Sequence, residues 1–168
     1  PEKFLAQPHD NLEQLIEWTY GNLIGETQNV TQSNLHFFAD RCIVAPTNEA
    51  ANEINEKVLA MLEGCEKFEA CEEFLSCDSI QGGDASEEHY PVEFLNSIET
   101  GGLPPHKLLL CTGTVIMVIR NYAPFLGVCN GTRVMVLEKR RRLLKVLILT
   151  GPKQGNEVTL PRICCDSA

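Results

Sequence analysis

Leu12, Leu15, Ile16, Thr19 and Leu23 recur at three- and four-residue spacing, which predicts a helix over residues 10–24 with one apolar face. Asp10 and Glu13 have the spacing of a capping box at its start. After a polar connection at Gly25 and residues 29–34 comes Cys42-Ile43-Val44-Ala45, an apolar run closed by Pro46 and expected to be a buried strand. A second helix is predicted over 48–62. Thr47 or Asn48 is its N-cap, Gly64 lies past its end, and Ala51, Ile54, Val58 and Met61 form its buried stripe. A strand feeding a helix through a short polar turn is an α/β unit.

Farther on, residues 74–80 read as a strand, 82–88 as an acidic glycine-containing loop, and 91–98 as a short helix with Pro91 in its first turn. The segment Gly101-Gly102-Leu103-Pro104-Pro105 breaks the pattern. Beyond it, 108–111, 114–120, 132–138, 143–150 and 157–160 are short aliphatic or β-branched runs. Asn130-Gly131, the basic stretch 139–142 and the segment 151–155 separate them with turn chemistry. Such spacing predicts a small antiparallel barrel or a meander. No apolar run approaches the roughly 20 residues of a membrane-spanning helix, so no membrane partner is expected.

Charge divides the chain more sharply than hydropathy does. Residues 1–100 carry four Lys/Arg against twenty Asp/Glu, and residues 101–168 carry ten against three, within a formal total of −9 for 168 residues. The basic second half points to a polyanion partner, and the plainer alternative is a dipolar, solvated surface. Lys139-Arg140-Arg141-Arg142 is the strongest cationic feature, with Arg120, Arg133 and Lys145 placed to extend it. A turn that keeps sheet edges apart, or a nuclear-localisation signal, would use the same residues.

Catalytic chemistry is hard to find. No Gly-x-x-x-x-Gly-Lys-[Ser/Thr] occurs, and Gly82-Gly83-Asp84 lacks the lysine and the strand-to-helix setting of a phosphate loop. No Gly-x-Ser-x-Gly elbow is present, and His9, His36, His89 and His106 read as surface or loop residues. Eight cysteines are present without a single Cys-x-x-Cys pair, so no metal site is assigned. They are expected to be reduced thiols that pack as small hydrophobes.

A collinear series of segments carries a resemblance. It runs through Ala45-Pro46-Thr47-Asn48-Glu49, Leu75-Ser76-Cys77-Asp78-Ser79-Ile80, Pro91-Val92-Glu93-Phe94-Leu95-Asn96-Ser97 and Gly102-Leu103-Pro104-Pro105-His106-Lys107-Leu108. It continues through Gly113-Thr114-Val115-Ile116-Met117-Val118-Ile119-Arg120-Asn121, then Leu126-Gly127-Val128-Cys129-Asn130-Gly131-Thr132-Arg133, and ends at Leu160-Pro161-Arg162-Ile163. Over roughly residues 40–163 this series resembles the Pif-family (petite integration frequency, RecD-like, superfamily one) DNA helicases, above all those of Helitron transposons.

The resemblance implies a fragment of the C-terminal motor region of such a helicase. The fold expected is α/β, part of the second RecA-like motor domain of a P-loop helicase with a small SH3-like β module inserted. Residues 1–105 would belong to the motor domain, 106–163 to the basic β module, and 164–168 to a truncated tail. ATP and Mg²⁺ are implied for the parent helicase, with roles in DNA repair, recombination and telomere maintenance in the nucleus or mitochondrion. None of the family's nucleotide-gripping segments matches this chain, so no cofactor and no catalytic residue are expected in it. Its partners would be single-stranded DNA and the remainder of the motor. Candidate DNA contacts are Thr47, Asn48, Arg120 and Asn121 by resemblance, and Lys107, Lys139, Arg140, Arg141 and Arg142 by charge. Thr47 and Asn48 are equally suited to a plain helix N-cap, and Asn121 and Asn130 to turns. Cys111-Thr112 stands where the family carries a more basic or aliphatic pair, which suits the alternative of a decayed transposon-derived remnant acting as a protein- or DNA-binding module.

Overall fold

Asn11 starts the first helix, α1 (Leu12–Tyr20): its Oδ1 accepts the Gln14 N–H at 2.8 Å. The cap is therefore Asn11 and not Asp10. The structure, a computed structural model, describes residues 11–21, 39–63, 71–80, 90–98 and 103–165. Asp10, Leu23, Ile24, Gly64, the loop 82–88 and Gly101-Gly102 lie outside these residues. Ile16 is 1% exposed, and the buried Thr19 hydroxyl donates to the Leu15 carbonyl at 2.7 Å. The helix stops at Gly21, whose N–H reaches the Glu17 carbonyl at 2.7 Å.

Helix α2 (Asn48–Glu63) begins where expected, because Thr47 caps it. The Thr47 Oγ1 accepts the Ala50 N–H at 3.3 Å, and its carbonyl accepts the Ala51 N–H at 3.1 Å. Lys57 and Glu53 form an exposed i,i+4 ion pair at 2.9 Å. The strand expected at 42–45 does not form: those residues have no ladder partner among the described residues, and Val44 is 85% exposed. Four apolar residues specify no partner, and an extended segment without one is not a strand.

The remaining elements are β1 (Glu72–Leu75), α3 (Val92–Asn96), β2 (Lys107–Leu110), β3 (Val115–Met117), β4 (Arg133–Arg140), β5 (Leu143–Ile148) and β6 (Glu157–Pro161). β1 and β2 pair as an antiparallel ribbon, and β3-β4-β5-β6 is an antiparallel meander. No parallel pair occurs among the described residues, so the class observed is mixed α/β with two antiparallel sheets. Strand β1 starts earlier than expected and ends at Leu75, although Ser76 N–H still reaches the His106 carbonyl at 2.8 Å. The β4–β5 connection is also tighter than the basic stretch suggested. Lys139 and Arg140 belong to β4, leaving Arg141 and Arg142 as a two-residue turn.

One face of the meander carries a core of Ala123, Val128, Val134, Val146, Ile148 and Val158, with Ile116, Val118, Leu144 and Leu160 packed against it. Val134, Val146 and Ile148 are wholly buried, and each such side chain is worth about 1.5–3 kcal/mol relative to exposure. Alternation along each strand produces this face, and a register shift between Val136 and Glu138 interrupts it.

Contacts divide the chain into Pro1–Glu69 and Ala70–Ala168. Pairing of β1 with β2 groups Glu72–Leu75 with the strands that follow. The same pairing corrects the all-reduced reading of the cysteines. Glu72 faces Leu110, so Cys71 and Cys111 meet one step farther along with Cα atoms 4.2 Å apart, and they are disulfide-bonded. Cys42, Cys77, Cys129, Cys164 and Cys165 are free thiols. No helix among the described residues is long and apolar enough to cross a membrane.

Candidate nucleic-acid interface

Strand alternation takes apart the basic run at the β4–β5 hairpin. Glu138 and Arg140 lie two residues apart on one side of β4, and the Arg140 Nε donates to Glu138 Oε1 at 2.7 Å. That bond holds the Glu138 carboxyl below the usual carboxylate range and raises the Arg140 guanidinium. Lys139 is half-buried, with its Nζ 3.4 Å from the Leu110 carbonyl on β2. Arg141 and Arg142 form the exposed turn, and no carboxylate pairs with either among the described residues. They are the two cations of the run whose charge no described residue compensates.

A third cation joins this end through the sheet register. Leu143 faces Pro161, and the Arg162 N–H donates to the Arg142 carbonyl at 3.0 Å, so Arg162 lies beside the turn. The exposed Arg162 guanidinium also reaches the Leu75 carbonyl at 2.6 Å, and Leu75 is the β1 partner of Lys107. Lys107 and residues 139–142 thus share one end of this unit. Lys107 has Glu73 Oε2 at 3.8 Å, an exposed pair of little energetic weight. Sequence reading passed over Arg162 as a contact. Its proximity to Arg142 depends on the β5–β6 register, which no local pattern encodes.

Arg120 and Asn121 fall at the opposite end. They follow β3, whose Met117 pairs with Arg133 at the start of β4. Arg133 and Arg140 are seven steps apart along β4, about 23 Å at ~3.3 Å per residue, so Arg120 and Arg133 do not extend the hairpin patch. Asn121 closes a loop: its Oδ1 accepts the Asn130 N–H at 2.9 Å. The Thr132 hydroxyl accepts the Cys129 N–H at 3.2 Å and donates to the Gly127 carbonyl at 3.1 Å. Lys145 is likewise committed, to Glu157 at 2.6 Å, and this contact raises the lysine above its ordinary value.

Thr47 and Asn48 belong to the first unit, as the N-cap and first residue of α2. A helix N-terminus attracts anions through its unpaired N–H groups. Here Glu49 already fills that role. Hydrogen bonds from its own backbone N–H and from Thr47 hold its carboxyl below the ordinary value.

Ser76, Asp78 and His106 form a polar cluster that the sequence did not announce. The Ser76 hydroxyl donates to Asp78 Oδ2 at 2.7 Å and lies 2.6 Å from His106 Nδ1, which is 3.6 Å from Asp78. The cluster pins the open end of the β1–β2 ribbon.

Residues 93–138 match the family model for the DNA helicase Pif1, 2B domain. The match takes in α3 from Glu93, then β2, β3 and β4 as far as Glu138. It includes Lys107, Arg120 and Asn121, and stops just before the basic turn. No curated protein matches the chain. The match relates this part of the chain to a Pif1-like DNA helicase.

Proposed function

We propose that the chain is part of an ATP-dependent, Helitron-type DNA helicase. In that motor it supplies a non-catalytic portion that holds single-stranded DNA. The observation that carries the reading is the match of residues 93–138 to the helicase 2B domain, with an exposed Arg141-Arg142 turn, unpaired with any carboxylate among the described residues, beginning three residues past the matched region. The second RecA-like domain and the SH3-like character of the strands from 106 to 163 belong to the same reading. ATP and Mg²⁺ would be bound by the parent motor through its phosphate loop, a motif this sequence does not contain. A nuclear or mitochondrial location follows, with roles in repair, recombination or telomere maintenance. In a thiol-reducing compartment Cys71 and Cys111 would exist as two thiols.

Electrostatic holding of a strand has a salt signature. Three or four neutralised phosphates give a log–log slope of about −2 to −3, at ~0.7 per contact on single strands. Fluorescence anisotropy of a labelled oligo-dT against salt reads it directly. The Arg141→Ala/Arg142→Ala variant should lower the magnitude by about 1.4, for two lost contacts. A slope near zero, or no binding at low salt, refutes the proposal.

One observation favours a second reading, a transposon-derived remnant acting through protein contacts. Residues 70–168 hold ten Lys/Arg and eleven Asp/Glu, so the second unit as a whole is not basic. On that reading the double variant binds oligonucleotide as the native chain does.

A further inference from the structure

At the end of the meander away from the basic turn, Phe125 stands 77% exposed on the one-turn 3-10 helix Pro124–Leu126. Beside it is a cavity of about 350 Å³ lined by Phe125, Leu126, Lys153, Asn156, Glu157 and Val158, with Gly155 at its edge. Two glycine-dependent turns shape it. Gly127 ends the 3-10 helix at φ +87°, and its missing side chain lets the Lys153 stem lie against the loop. Gly155, also at φ +87°, donates its N–H to the Ile148 carbonyl at 2.9 Å. The Asn156 N–H bonds the Lys153 carbonyl at 3.1 Å, which fixes the turn carrying Lys153.

The charges of this cavity are unequal. Glu157 is held by Lys145 at 2.6 Å, so its carboxylate is compensated, while Lys153 is exposed and without an ion pair among the described residues. What remains is an open aromatic face, an available ammonium and an exposed carboxamide residue, Asn156. A nucleotide presents the complementary set: a flat base with polar edges joined to an anionic phosphate. Aromatic faces take bases of any identity by stacking, and a neighbouring cation takes the phosphate.

We propose that Phe125 and Lys153 form a second nucleic-acid site in this chain, in which an unpaired base stacks on the Phe125 ring and its phosphate meets the Lys153 ammonium. The site rests on the single-strand reading above but shares no residue with the basic turn. It adds to a cationic end an aromatic one at the far side of the same sheet. Phe125 and Lys153 are 28 positions apart in the sequence, and the β4–β5–β6 fold brings them together.

The test uses the full 168-residue chain. Oligo-dT of about 12 nucleotides, within the range of single-strand site sizes, is titrated into native, Phe125→Ala, Phe125→Trp and Lys153→Ala chains. Phe125→Ala should weaken binding about 5- to 100-fold, and Phe125→Trp should restore it. Lys153→Ala should lower the magnitude of the salt slope by ~0.7. The dinucleotide pdTdT, too short to span the sheet, should shift the Phe125 ring resonances upfield in an NMR titration, and equally in Arg141→Ala/Arg142→Ala. If oligo-dT binds the native and Phe125→Ala chains alike, this site is refuted while the turn reading stands. A ring shift together with an unchanged salt slope in the double-arginine variant sinks the turn reading alone. No oligo-dT binding at low salt sinks both. A Phe125 ring that shifts with a proline-rich peptide and not with pdTdT makes the cavity a protein-docking surface and overturns the proposal.

Discussion

Replacing Gly127 by alanine should damage the second unit far more than the same change at Gly131, although the two backbones are nearly identical. Gly127 sits at φ +87° and Gly131 at φ +84°, so both variants hold an L-residue in the left-handed region at about 1–2 kcal/mol. Around Gly131 nothing lies within 4 Å of the new methyl group. At Gly127 the methyl would stand 2.7 Å from Lys153 Cβ, 2.8 Å from Lys153 Cγ and 3.4 Å from Ile148 Cδ1. Carbon atoms settle about 3.5–4.0 Å apart, so the first contact is short by roughly 0.8 Å. Lys153 Cβ cannot swing aside without its backbone, and Ile148, the third neighbour, is wholly buried. Relief of that overlap costs about 1–3 kcal/mol more, the usual range for overpacking. At about 4–8 °C per kcal/mol for a domain of this size, Gly127→Ala should melt about 4–24 °C below Gly131→Ala. Far-UV circular dichroism is the assay, because the single tryptophan, Trp18, belongs to the first unit. A cycle with Lys153→Gly isolates the contact, since that change should make Gly127→Ala cheaper and leave Gly131→Ala unaffected. Equal losses at the two glycines would refute the close approach of Lys153 that shapes the Phe125 cavity.

Thr47→Ala removes the side-chain acceptor for the Ala50 N–H and should cost about 1 kcal/mol, read as faster amide exchange in the first turn of α2. Ile148→Ala in the meander core should cost about 2–5 kcal/mol in urea unfolding, and a loss under 1 kcal/mol would contradict the core assignment. Reducing Cys71–Cys111, which are 40 positions apart, should destabilise the second unit by about 4 kcal/mol on the loop-entropy account, measured as a fall in urea midpoint with reductant. Glu49 and Glu138 titrate below the ordinary value of 4.5, so each contributes stability above pH 4.5 that is lost as pH falls through its depressed folded-state value. Ellipticity should therefore fall in that acid window, and Glu49→Gln should remove the α2 part of the change.

What was legible in the sequence depended on whether a signal was local. β4, β5 and β6 announced themselves because alternating aliphatic residues met turn chemistry at short intervals, and Thr47 was readable as a cap from residue type alone. Residues 42–45 failed for the opposite reason: their apolar character is local, but strand formation needs a partner, and the chain supplies none among the described residues. The β1–β2 pairing joins Glu72 to Leu110 across a long intervening segment, so neither the unit boundary nor the Cys71–Cys111 bond was visible in advance. The basic run is legible in the sequence only as a unit. Four adjacent cations look equivalent in a sequence, but the pleat turns Lys139 toward β2 and Arg140 toward Glu138. Arg162 and the Phe125–Lys153 cavity were missed because each is created by register.

The same register decides how a basic C-terminal half coexists with a unit that is close to neutral. Electrostatic reach at physiological salt is about 8 Å, so a strand responds to the few charges within that distance and not to the sum over the unit. Arg141, Arg142 and Arg162 cluster at one end, and Lys153 stands at the other, about 20 Å or more away along the strands. Separated by more than two screening lengths, the two ends neutralise phosphates independently. A single strand long enough to touch both would gain from each, and its salt slope would be the sum of the two contributions. An oligonucleotide confined to one end would lose affinity only to changes at that end. Combining Arg141→Ala/Arg142→Ala with Phe125→Ala should therefore give additive free-energy losses on a 12-nucleotide strand, roughly the multiple of the separate fold-changes. Strong non-additivity would mean that the two ends compete for the same nucleotides and that no strand crosses the sheet.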